Sequence, residues 1–106
     1  MVRTSRGRFA PERYDDVRRL IEASADALEP AIRKLRGPVY YHAGIDRETG
    51  TVVNVSVWRD MGAAKQMETL APMLAQRPTL ERAGATFDRV ANYEALWNIG
   101  SVGANP

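Results

Sequence analysis

The chain has 106 residues, 44% of them hydrophobic, which makes one ordinary domain with a real core and excludes both two domains and a disordered chain. Fifteen Lys and Arg against 13 Asp and Glu leave a formal charge of +2. The arginines are interleaved with acids, as in ERYDDVRR (12–19), so the one-sided basic stripe of a nucleic-acid binder is missing.

No cysteine is present, which excludes disulfides, thiol catalysis and thiolate metal sites. No apolar run approaches the roughly 18 residues of a membrane span, and the N-terminus lacks a signal-peptide core. The expectation is a cytoplasmic protein with neither membrane nor nucleic acid as partner.

Residues 2–9 read as a first strand ending at Phe9. Within it RTSRGR (3–8) crowds Arg3, Arg6 and Arg8, and reads as an exposed strand edge kept soluble by charge. Pro11 then suits a helix start, with Glu12, Asp15 and Asp16 at the positive end of the dipole. Tyr14, Val17, Ile21, Ser24, Leu28, Ala31 or Ile32, and Leu35 recur at three- and four-residue steps, an amphipathic helix. Pro30 lies inside that pattern and should bend or break it near Glu29. Gly37 and Pro38 stop it.

VYYHAGI (39–45) is the second strand and DRETG (46–50) a hairpin loop, with Gly50 available for a positive φ. VVNVSVWRD (52–60) carries the third strand. Asp60 can cap the next helix, MGAAKQMETL, whose Met61, Ala64, Met67 and Leu70 step by threes; Met61, Met67, Leu70 and Met73 read as core filler. Pro72 and Pro78 should cut the next segment into short helical pieces, closed by Gly84. TFDRVANYEALWNI (86–99) is the fourth strand. The domain is therefore set at residues 1–98, with 99–106 a flexible tail.

The order β-α-β-β-α-β predicts a ferredoxin-like α+β fold, an antiparallel sheet with its helices on one face. Alternation assigns Val53, Val55 and Val57 to the helices and Asn54, Ser56 and Trp58 to the uncovered face. In the second strand the longer apolar set, Val39, Tyr41, Ala43 and Ile45, goes under the helices. Tyr40 and His42 then join Asn54, Ser56 and Trp58. An open face of that composition calls for a partner, most simply a second copy, and a homodimer would close it into a part-polar cavity.

The order of elements, with VVNVSVWRDMGAAKQM and RAGATFDRVANYEAL, resembles the dimeric α/β-barrel superfamily. Within it the chain is similar to the antibiotic-biosynthesis-monooxygenase-like (ABM) proteins, over roughly residues 2–98. The resemblance implies a homodimer with one pocket per subunit. Some relatives oxidise phenols and anthrones with O₂ and neither metal nor flavin, and these carry Asn and Trp four residues apart on the third strand. Asn54 and Trp58 match that pair. An amide at Asn54 would donate hydrogen bonds to a substrate oxyanion, and Trp58 would stack on the ring and donate its N–H. Tyr40 and Ser56 would line the pocket. From its chemistry alone, His42 could take the starting proton.

Haem-degrading relatives use an Asn on the first strand and an axial His from a helix. Here residues 2–9 hold no Asn, and the one His is on a strand. With no clustered metal ligands either, the expected cofactor is none. The leading expectation is a cofactor-independent monooxygenase acting on a small aromatic phenol, quinol or anthrone. A non-catalytic homodimer that binds a small ligand, and a dimerisation domain of a larger assembly, stand beside it. In these Trp58 packs at a dimer seam and His42 is a cavity or interface histidine hydrogen-bonded to a neighbour.

Overall fold

The computed structural model describes residues 1–97 and Ile99. Strand β1 (Val2–Arg8) leads through a 3-10 turn (Pro11–Arg13) into helix α1 (Tyr14–Arg33). The hairpin of β2 (Pro38–Asp46) and β3 (Thr51–Trp58) follows, then α2 (Met61–Lys65) with a 3-10 turn at Gln66–Glu68. Helix α3 (Ala71–Arg82) and the short strands β4 (Thr86–Phe87) and β5 (Ala91–Tyr93) complete the described chain. The sheet runs β2-β3-β1-β4, β5 also pairs with β1, and these pairings are antiparallel. This is the ferredoxin-like α+β order that the sequence predicts. The tail expected over 99–106 lies outside the described residues, except for Ile99.

Local chemistry accounts for the hairpin and the caps. Gly50 sits at φ 64°, and a Cβ there would come within 2.4 Å of the Phe9 carbonyl oxygen, so the turn excludes any side chain. The Asp60 carboxylate accepts the Ala63 N–H at 2.7 Å and starts α2.

Four expectations need correction. Helix α1 runs unbroken through Pro30, and α3 through Pro78. Both prolines are on exposed turns, as are Asp26 and Leu74, whose carbonyls lose their partners to solvent. Buried neighbours (Leu28 and Ile32 around Pro30, Gln76 and Leu80 around Pro78) hold each turn onto the core. Second, the strand expected over 86–99 is two short ones. The Asp88 N–H bonds the Arg6 carbonyl at 2.8 Å, and its carboxylate holds Arg6 at 2.9 Å and Arg8 at 3.3 Å. Third, β1 is an interior strand and not an edge.

The fourth correction decides where the site is. Residues opposed on neighbouring strands share a face, so the register stacks the helix-side chains into transverse rows. Phe87, Gly7, Val52 and Ile45 form one, and Ser5, Asn54 and Ala43 the next. Asn92, Arg3, Ser56 and Tyr41 form the third. The first row belongs to an apolar cluster with Phe9, Val17, Leu80, Ala83 and Ala85. Beyond the third, Trp58 anchors a second cluster with Leu28, Ile32, Ala63, Ala64 and Met67. Trp58 is therefore beneath the helices, 2% exposed, and Asn54 and Ser56 share its side. Val53, Val55 and Val57 occupy the uncovered face. Met67 is buried as expected, but Met61 is exposed.

Between the two apolar clusters lies a polar band. Its roof is Ser24 of α1 and Gln76 of α3, with the Gln76 amide donating to Ser24 Oγ at 2.9 Å. Among the described residues, no helix is long and apolar enough to cross a membrane.

Candidate functional site

A cavity of about 260 Å³ opens inside this band, just below the usual 300–1,000 Å³ of small-molecule sites. Its floor is the two polar rows of the sheet, Arg3, Ser5, Tyr41, Asn54 and Ser56. Met67, Met73 and Gln76 come down from the helical side, and Phe87 and Val90 close one flank. Glu68, Arg77 and Glu81 bring charge to its lining. Gly7 makes room for the Phe87 ring, which a Cβ would meet at 2.7 Å.

The floor is rich in hydrogen-bond donors. The Trp58 indole N–H donates to Ser56 Oγ at 2.8 Å, so the Ser56 hydroxyl keeps its own proton for another acceptor. The Tyr41 hydroxyl oxygen is buried without a hydrogen-bond partner among the described residues. Burial pushes its pKa up to about 12, against the opposing pull of the Arg3 charge, so it is a neutral donor at physiological pH. Arg3 has only 12% of its side chain exposed. Its Nη1 donates to Asn92 Oδ1 at 3.3 Å and lies 3.9 Å from Glu68 Oε1. Burial lowers its pKa, while Glu68 and then Tyr41 raise it, and a guanidinium remains charged throughout the physiological range.

Hydrogen-bond donors that line a cavity in this way are the groups that can stabilise an oxyanion. Solved structures share the whole architecture. The first is a Deinococcus radiodurans protein provisionally named an antibiotic biosynthesis monooxygenase. It is 21% identical, with a TM-score of 0.70, and the match covers 94% of this chain and 97% of that one. The second is SnoaB, a cofactor-independent oxygenase from Streptomyces nogalater, solved as an asparagine-to-alanine variant. It is 18% identical, with a TM-score of 0.65 over 92% and 94% of the two chains. Rv0793 from Mycobacterium tuberculosis matches at 16% identity and a TM-score of 0.58, over 91% and 97%. The fold is that of the ABM proteins. No protein-family model matches the chain, and no curated protein does.

On this ABM-like fold, the structure brings together only part of the expected site. Asn54 and Ser56 line the cavity. Trp58 stands behind Ser56 with its N–H already used, so it neither faces the cavity floor nor offers a free donor. His42 is opposite Val55, on the uncovered face, exposed, with its ring edge-on to Tyr40 at 4.5 Å. It is separated from Asn54 by the sheet itself. Tyr40 borders a different space, a groove of about 650 Å³ between α1 and β2. Tyr41 and Gln76 line both spaces and stand between them.

Arg3 and Tyr41 carry no mark of function in the sequence. Arg3 sits in an arginine-rich stretch that reads as surface, and Tyr41 in an apolar set that reads as core. The cross-strand register is what places both beside Ser56.

Proposed function

We propose that the chain is a cofactor-independent monooxygenase-like enzyme that takes a small aromatic phenol, quinol or anthrone into the cavity beneath its helices. The polar floor carries this reading. A domain of this size has little apolar surface to spare, yet its middle is given over to Arg3, Tyr41, Asn54 and Ser56. The likeness in fold to SnoaB, a cofactor-independent oxygenase, supports it.

A deprotonated phenol or anthrone is electron-rich enough to reduce O₂ itself. In the anthrone case a ring CH₂ becomes a carbonyl, one oxygen atom enters the product, and the other leaves as water with the two hydrogens. The protein has only to bind and stabilise the anion. Asn54 is the residue proposed to donate to the substrate oxygen, with the Ser56 and Tyr41 hydroxyls beside it. Trp58 acts through Ser56, fixing that hydroxyl's orientation, and is a positioning residue. With His42 on the other face, the carboxylates available to the cavity are Glu68 and Glu81.

Oxygen uptake with an anthrone or a hydroquinone tests the reading. The wild-type chain should consume O₂, and Asn54→Ala should lower the rate about 100-fold, the scale of a lost oxyanion donor. The absence of an imidazole from the cavity favours a second reading, a non-catalytic small-ligand binder. That reading predicts stabilisation by the same phenols with no O₂ uptake above the uncatalysed rate.

The uncovered face of the sheet supports self-association as a homodimer. Val53, Val55 and Val57 are half-buried in the single chain, and Tyr93, which the register sets on their side through Val2, is exposed. A second copy would cover this surface. The residues that line the cavity come from the helices and sheet of one chain, on the other side of the sheet.

A further inference from the structure

Arg3 is the one charge on the floor of the cavity, and its compensation is incomplete. Among the described residues, a cation with 12% of its side chain exposed has as its carboxylate partner only Glu68, 3.9 Å away and 53% exposed. Asn92 supplies a neutral acceptor at 3.3 Å. Tyr41, on the same row, adds a hydroxyl without a hydrogen-bond partner among the described residues. Of the other charged groups at the cavity, Arg77 is paired with Glu81 at 3.4 Å on α3, and so contributes little net charge. A largely shielded charge in this state is costly unless an opposite charge reaches it.

We propose that the cavity selects its ligand as an aromatic oxyanion, a phenolate or carboxylate seated on Arg3 and Tyr41, and that Glu68 is the internal counter-charge with which the ligand competes. The assignment rests on the cavity being the ligand site. It adds a specificity-determining residue that the Asn–Trp pattern does not contain. A phenol bound there would lose its proton at a lower pH than in water, because the guanidinium favours the charged form. That would supply the anion without a histidine.

Binding without O₂ tests this separately from catalysis. In an anaerobic calorimetric titration at pH 7, the wild-type chain should bind 2-naphthoate at least 10-fold more tightly than the neutral 2-naphthamide. Arg3→Gln should bring the two within about 2-fold of each other, whereas Glu68→Gln should tighten naphthoate about 3-fold and leave naphthamide unchanged. A second arm uses 2-naphthol. Its ionised absorption band should appear at lower pH with wild-type protein than in buffer, and at the buffer pH with Arg3→Gln.

A preference for naphthoate without a naphthol shift assigns the site to carboxylates, and the shift assigns it to phenolates. Equal binding of acid and amide by the wild type overturns the proposal, whatever becomes of the variants. So does failure of all three probes to bind, while O₂ uptake with a hydroquinone would leave the oxygenase reading standing.

Discussion

Tyr41 holds a hydroxyl where a purely structural core would do better with Phe. An unpaired buried hydroxyl costs about 1–3 kcal/mol. Tyr41→Phe should therefore stabilise the fold by about 1 kcal/mol in urea denaturation while weakening 2-naphthol binding. The pH dependence follows from the same burial. With the folded pKa at about 12 and an ordinary value near 10, the unfolded chain releases this proton first. Between pH 10 and 12 the wild type should lose stability that Tyr41→Phe does not lose. A variant that is less stable at pH 7, or that falls as steeply across that window, contradicts the assignment.

The same scale shows what could be read from the residues of the third strand and what could not. The strand and its alternation are plain in VVNVSVWRD. Its orientation is not, because Val53, Val55 and Val57 look like the core set. They fail as a guide because both faces of this sheet are partly apolar. The helix side is interrupted by a cavity, so it carries Asn54 and Ser56 between Val52 and Trp58. Burying the large indole outweighs the two small polar groups that share its side. The expected pairing of His42 with Asn54 fails for that reason alone, since His42 does lie on the side of β2 that its alternation indicates.

At the scale of elements, the hairpin, the Asp60 cap and the amphipathic α1 were all legible, each resting on contacts near in sequence. The prolines and the last strand were not. Pro30 and Pro78 are tolerated because tertiary packing on the opposite side of each helix outweighs one lost hydrogen bond. The interruption after Phe87 depends on Arg6 and Arg8, some eighty residues away in the chain. The valine-rich face of β3 carries its own prediction. If it is a dimer seam, Val55→Arg should halve the mass seen by light scattering and leave 2-naphthol binding within about 2-fold, because the cavity lies on the far side of the sheet. A wild-type chain that runs as a monomer contradicts the seam. Loss of the ligand along with the dimer contradicts the independence of the cavity.

For the whole molecule, the order of layers was legible and the location of the cavity was not. Two apolar clusters, one around Leu80 and Val17 and one around Trp58, supply the hydrophobic stability. The Gln76–Ser24 bond in the roof of the polar band ties α1 to α3, whereas its floor of Arg3, Tyr41 and Asn54 costs stability, which is how functional sites commonly stand out from the scaffold. Because the chain has no cysteine, single introduced cysteines can report which side of the sheet a ligand occupies. The rate of iodoacetamide labelling at Ser5→Cys, on the cavity floor, and at His42→Cys, on the opposite face, should be measured with and without 2-naphthol. Protection of the first by at least 5-fold, with the second unchanged, is the expected result. Protection at His42→Cys with none at Ser5→Cys would place the ligand on the outer face and contradict the account.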